Sequence, residues 1–355
     1  GWMQNPVGTT FNPDTMRNEM TSFVQVALSP VAVDKFAHTV LSAWVLGAVF
    51  VVGVSSWYLL KQHHLDFARR SLRVGAIFGL ISSVLIMLSG HHSAYTVAQT
   101  QPMKLAAMEA LYKGGADQPL TLIAGINPFQ QPDYEANDEA PLKIAVPYAL
   151  SFLATNDIHG YVPGVRDLLD GYTKPDGTQE LSLEEKKERG RAAITAIAEY
   201  RKGKAEGKDE ETLNSQLSIL RSNMPYLGYG YVKDRAQIVP YIPVCFYAFR
   251  VMVGGGCLFI LLFLVMLWKP KNWTYRIALF CIPIAYIVSE AGWLVAEFGR
   301  QPWTIQDMLP TWVSVSQLGS SAVMLTFFLF LILFTTLLAV EISNMCKTIK
   351  KGPQL

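Results

Sequence analysis

Four stretches of this chain carry no charged residue over roughly the length of a membrane span: Thr39 to Leu60, Val74 to Gly90, Val251 to Trp268 and Val313 to Val340. An α-helix rises 1.5 Å per residue, so about 18 to 20 apolar residues cross the hydrocarbon core of a bilayer. A fifth run, Ile277 to Phe298, is broken only by Glu290 and Glu297. Lipid offers the backbone no hydrogen-bond partner, so segments of this kind must be helical. The expected fold is an all-α integral membrane protein with five transmembrane helices, at 30–60, 72–92, 242–268, 275–299 and 313–342. A hydrophobic content of 51% would also suit a large soluble core. The segregation of charge excludes it.

Residues 93–241 are too polar and too punctuated by Pro and Gly to lie in lipid, and are expected to form a large, mostly helical loop. Within it, Leu183 to Leu220 mixes Lys, Arg, Glu and Asp with Ala, Ile and Leu at helical spacing, the pattern of solvated helices that cover something. Residues 1–29 form a lead-in and 343–355 a tail. Cations cluster in the short connections: Lys61, Arg69, Arg70 and Arg73; then Lys269, Lys271 and Arg276; then Lys347, Lys350 and Lys351. All three clusters fall on one side, which the positive-inside rule assigns to the cytoplasm. The large loop and Gly299 to Thr311 are then expected outside. His63 and His64 belong to the basic connection and are expected at the surface. The four cysteines, Cys245, Cys257, Cys281 and Cys346, have no metal-site spacing and read as buried small residues. The net charge of +2 adds nothing, and no nucleic-acid partner is expected.

Carboxylates are costly in hydrocarbon, which makes Glu290 a candidate ligand, proton relay or ion-pair partner. Two other residues fall at its depth. Ser29-Pro30 reads as a helix N-cap and first position, placing His38 about 12 Å into the first span. Pro243 opens the third, placing Met252 about 13 Å deep, and Glu290 is about 13 Å from Gly299. Imidazole and thioether together suit a six-coordinate, low-spin haem iron, and a carboxylate suits a high-spin one. Arg250 could pair with a haem propionate. The residues alone leave plainer readings open: His38 hydrogen-bonded between helices, Met252 as packing, and Glu290 paired with Arg250.

Five motifs narrow this: Gly1-Trp-Met-Gln-Asn-Pro-Val-Gly8, Lys35-Phe-Ala-His-Thr39, Lys104-Leu-Ala-Ala-Met-Glu109, Phe249-Arg-Val-Met252 and Glu290 through Trp303. In order and approximate spacing they resemble subunit I of cytochrome bd quinol oxidases, over nearly the whole chain. The resemblance implies that His38 and Met252 are axial ligands of the low-spin b haem, with Arg250 beside it. It implies Glu290 as a ligand of one of two high-spin haems, a b haem and a d haem, without saying which. Glu297, Arg300, Gln301 and Trp303 fall in the segment supporting that site. Residues 93–241 correspond to the family's periplasmic quinol loop, and Lys104 and Glu109 to its Lys and Glu needed for quinol oxidation. A carboxylate can accept a quinol proton while a cation holds the developing quinolate. Without the resemblance, Lys104 and Glu109 would read as an exposed helix pair.

The implied activity is oxidation of membrane quinol on the periplasmic side of a bacterial cytoplasmic membrane. Oxygen is reduced to water at a di-haem site, which generates proton-motive force. The implied partners are subunit II, small single-helix subunits, quinol, O2 and the lipid bilayer. The family's subunit opens with four further helices, bearing a haem-ligating His and acidic residues, that this sequence does not contain. Together with the Gly-Trp-Met-Gln start, this leads us to expect a fragment of a longer protein. The rival expectations are a truncated electron carrier or assembly subunit that keeps one haem site, and a transporter using Glu290 as proton carrier.

Overall fold

The structure is a computed structural model describing residues 1–353. Five helices are long and apolar enough to cross a membrane. They are α2 (Pro30–Lys61), α3 (Leu65–Thr100), α9 (Ile242–Trp268), α10 (Asn272–Phe298) and α11 (Ser320–Lys351). A turn at Trp2–Gln4, a hairpin of β1 (Thr9–Asn12) and β2 (Arg17–Met20), and the short α1 (Phe23–Ala27) precede them. Pro30 opens α2 as expected, but the Ser29 hydroxyl caps nothing: it is buried without a partner among the described residues.

Helices α2, α3, α9 and α10 pack as a ring in which α2 faces α3 and α10, and α9 faces the same two. The ring closes because its contact positions are small. A Cβ on Gly79 of α3 would lie 2.3 Å from the Phe263 ring of α9, and one on Gly53 of α2 would lie 2.6 Å from Ile282 of α10. Such contacts let backbones approach in lipid, where the hydrophobic effect between helices is absent and van der Waals packing takes its place. Toward the basic end the ring is filled by Val45, Val49, Val52, Phe259, Phe263 and their neighbours. By contrast α11 is 32 residues of largely apolar surface with none of its side chains buried. It is tied to the ring at the basic end, where Tyr58 Oη donates to the Ile349 carbonyl at 2.7 Å.

Between α3 and α9, residues 101–241 fold as a cap over the other end. It holds α4 (Pro102–Glu109), β3 (Leu120–Ile123) paired with β4 (Ile144–Val146), α5 (Ala149–Thr155) and α6 (Val165–Asp170). These are followed by β5 (Tyr172–Thr173) paired with β6 (Gln179–Glu180), α7 (Leu183–Ala205), α8 (Glu210–Asn223) and two 3-10 turns, Met224–Tyr231 and Arg235–Ile238. The charged region around 183–220 is thus two helices, as its spacing indicated. A last hairpin, β7 (Trp303–Ile305) with β8 (Leu309–Pro310), follows α10.

Several expected boundaries are corrected. The span expected at 72–92 runs Leu65–Thr100, because Arg69, Arg70 and Arg73 can stay helical with their charged heads in water, and the helix passes through the polar His91–Thr100 segment. The cap therefore begins at residue 101, not 93. The span expected at 313–342 is Ser320–Lys351: Gly319 is its N-cap, and the tail expected from 343 is helical through Lys351, its lysines standing where the carbonyls of a helix end favour cations. Cys245 and Cys281 are buried, but Cys257 and Cys346 are exposed. His63 and His64 are exposed, in line with the basic connection.

Candidate functional site

His38 lies on α2 with Nδ1 3.2 Å from the Ser89 hydroxyl of α3. Its Cε1 faces Gly90, where an added Cβ would stand 3.5 Å away. One turn nearer the cap, Ser93 Oγ donates to Asp34 at 2.7 Å, fixing the register of α2 against α3. Met252, on the diagonally opposite α9, has its sulfur 3.3 Å from where a Cβ on Gly292 of α10 would be. The same step of eleven residues separates Phe263 from Met252 and Gly79 from Gly90 along antiparallel helices. His38 and Met252 therefore sit in one layer, on opposite corners of the ring, with glycine rather than a side chain beside each.

Above this layer, α4 is short and almost wholly buried, its first turn opened by Pro102 and its end closed by Ala110 in the left-handed conformation. Lys104 is 5% exposed and Glu109 2%. Neither is the exposed helix pair that the spacing alone suggested, and they do not pair with each other. Glu109 accepts from Arg250 at 2.7 Å. Arg250 also donates to the Thr121 carbonyl at 2.6 Å and to the Met108 carbonyl, and its guanidinium stacks 3.8 Å from the Phe246 ring centroid. Arg250 is thus clasped to α4, and among the described residues its ion pair is with Glu109 and not with Glu290, one of the plainer readings the residues had left open. Burial pushes the Glu109 carboxyl up to about 7 against the opposing pull of Arg250. It pushes the Lys104 ammonium down to about 8.

Lys104 lies along Gly299 at the end of α10, where a Cβ would come within 2.7 Å of its stem. There it shares a charged cluster with Lys35 of α2, Glu297 and Arg300. Arg300 donates to Glu297 at 2.5 Å, one helical turn apart. Trp303 is buried and packs edge-on to Tyr229 with ring centroids 5.0 Å apart, while Gln301 is exposed. Glu290 is set apart from these residues. It is exposed on the outer face of the ring, in a largely apolar groove of about 520 Å³ between α9 and α10, with Val251 and Leu294.

Three site neighbours escaped the sequence reading as individuals. Lys35 stood inside a quoted motif without a role, yet its Nζ is buried with no hydrogen-bond partner among the described residues. Asp307 is half-buried, takes φ +59°, and accepts from Tyr229 at 2.7 Å and from Gln306 at 3.0 Å. Burial raises the Asp307 carboxyl and, with the carboxylate beside it, the Tyr229 phenol. Gln101, next to α4, donates to Gln306 at 3.0 Å, so one polar chain ties α4, the last hairpin and the 3-10 turn at Met224–Tyr231. Its only signal in the sequence is an ordinary Gln-Asp turn.

Residues 1–353 match the family model of the cytochrome bd terminal oxidase subunit I. The chain is 34% identical to the cytochrome bd-II ubiquinol oxidase subunit 1 of Escherichia coli, over 99% of its own length and 69% of that protein's. It is 28% identical to the cytochrome bd ubiquinol oxidase subunit 1 of Bacillus subtilis, over 99% of this chain and 63% of that one. Its fold superposes on the bd oxidase structure from Geobacillus thermodenitrificans with a TM-score of 0.70 at 21% identity, covering 99% of this chain and 65% of that one. The chain thus spans about two thirds of the length of these relatives. It is a multi-pass member of a respiratory oxidoreductase family whose named relatives are quinol oxidase subunits, and whose cofactors are haems. By sequence and by fold, it belongs to the cytochrome bd terminal oxidase subunit I family.

Proposed function

We propose that this chain carries the quinol-oxidising site and the low-spin haem site of a cytochrome bd-type oxidase. The observation that carries this reading is the clasp between Glu109 and Arg250. A buried, high-affinity base on the cap is joined through one side chain to the helix that bears Met252, two residues on.

Quinol oxidation releases two protons and two electrons. In this reading Glu109 takes a hydroxyl proton, for which a carboxyl near 7 is well matched, and Lys104 holds the negative oxygen that develops. Arg250 keeps the Glu109 carboxylate oriented and, with the cap closed over α4, solvent is kept from both.

The residues around His38 and Met252 fit a haem. The donor set is one imidazole, held by Ser89 through one nitrogen with the other free, and one thioether on the facing corner. Gly90 and Gly292 leave the space beside them that any Cβ would narrow. When bound there, a low-spin b haem supplies a one-electron acceptor whose potential the thioether raises. Glu290, exposed beside its groove, serves in the same reading as a ligand of a high-spin haem, either b or d, with Glu297, Arg300, Gln301 and Trp303 supporting the cap end of α10.

The assembled oxidase, with subunit II and small single-helix subunits in the bacterial cytoplasmic membrane, reduces O2 to water. The cap faces the periplasm, so quinol protons leave there and the reaction builds proton-motive force. The test is a reduced-minus-oxidised visible spectrum of the purified complex, followed by carbon monoxide. A low-spin b band together with a far-red band that carbon monoxide shifts is expected. A low-spin band alone means an electron carrier, and no haem band at all overturns the reading. In Met252→Leu the low-spin band is expected to vanish while the chain still inserts.

A further inference from the structure

At the cap end of the ring, Lys35, Lys104 and Arg300 converge with two carboxylates, Glu297 and the Asp34 that adjoins Lys35 and accepts from Ser93. Glu297 is taken by Arg300 at 2.5 Å. Three cations against two carboxylates leave the cluster an excess of positive charge, and two of its donors are unsatisfied: Lys35 Nζ and Arg300 Nε are buried without an acceptor among the described residues. An unpaired buried ammonium is costly in a low-dielectric setting, so the arrangement calls for a resident anion. Lys35 is three residues before His38 on α2, one turn nearer the cap and on an adjoining face. Arg250, the cation the sequence pointed to, already serves Glu109 and two carbonyls.

We propose that Lys35 and Arg300 receive the carboxylates of the prosthetic group held between His38 and Met252, leaving Lys104 to the quinol. This rests on the haem-site reading given above. A haem carries two propionates permanently, whereas a quinolate is singly charged and transient. Only the former neutralises Lys35 throughout turnover. A cation beside a propionate also favours the ferrous state electrostatically, which makes the assignment measurable.

The experiment is a redox titration of the low-spin b band in the purified complex. For Lys35→Met the ferrous to ferric ratio at a fixed potential is expected to fall about tenfold, about 59 mV for a one-electron couple. Lys35→Arg is expected to restore it, and Arg300→Gln to lower it less, since Arg300 shares its charge with Glu297. A Lys35→Met complex with an intact band and unchanged potential overturns the proposal, and a raised KM for quinol in that same complex assigns the cluster to the substrate. Should Lys35→Met lose the band altogether, the charge-preserving Lys35→Arg decides through resonance Raman. A shifted propionate bending mode supports the contact, and an unmoved one overturns it. Failure of the underlying reading looks different: the Met252→Leu complex would keep its low-spin band.

Discussion

Glu109 and Lys104 have proton affinities drawn toward each other, the carboxyl up to about 7 and the ammonium down to about 8, both by burial. A base that must be deprotonated and a cation that must be protonated then work together only in a narrow window. The kcat/KM of the complex for quinol is expected to rise with pH through about 7, as Glu109 loses its proton, and to fall above about 8, as Lys104 loses its own. Removing the charge of Arg250, as in Arg250→Met, takes away what opposes desolvation at Glu109. The rising limb should move to higher pH. Glu109→Gln is expected to lower quinol oxidation by about 10² to 10⁴ while the low-spin band persists. At this scale the sequence made the site partly legible: Lys104, Glu109, His38 and Met252 stand in motifs. What joins them did not show, because Arg250 and Glu109 are 141 residues apart and nothing in either segment names the other. Asp307 was silent for a related reason. An aspartate in a polar turn reads as solvated until Tyr229, from a distant turn, closes over it.

Helices in this protein are positioned by absences. Gly79 admits the Phe263 ring, Gly255 admits Val288, and Gly190 of α7 lies so close to Gly230 that a Cβ would stand 2.3 Å from its backbone nitrogen. Gly79→Val is therefore expected to force α3 from α9, lowering stability by about 1–3 kcal/mol. Thermal unfolding of the complex measures this, with partial recovery expected on adding Phe263→Leu. The number and approximate place of the spans were legible because an uncharged run has one physical reading. Their ends were not. Side chains such as Arg69 and Lys350 reach water from within a helix, so charge marks where lipid stops rather than where the helix does. Glycines inside a run read as weak helix formers, and only the facing helix reveals them as contacts.

The whole molecule is a four-helix ring with a folded cap at one end and a fifth helix, α11, standing apart along its side. The two ends of the ring differ. Near the cap, polar groups, glycines and the charged cluster accumulate; toward the basic end the space is filled by Val, Leu, Phe and Met. Amide exchange is expected to be slower for Val45 to Leu59 and Phe259 to Met266 than for Gly254 to Gly256, as hydrogen-exchange mass spectrometry can show. That filled half has an electrical consequence. Its buried core holds no carboxylate, imidazole, lysine or arginine among the described residues, and the Ser56 hydroxyl there is spent on the Val52 carbonyl at 2.7 Å. The buried groups there that can exchange a proton are weak ones, the hydroxyls of Ser55, Ser56, Tyr58 and Thr274 among them. If the cap oxidises quinol as proposed, this apolar half is a low-dielectric plug beneath the site that opposes the return of charge through the ring.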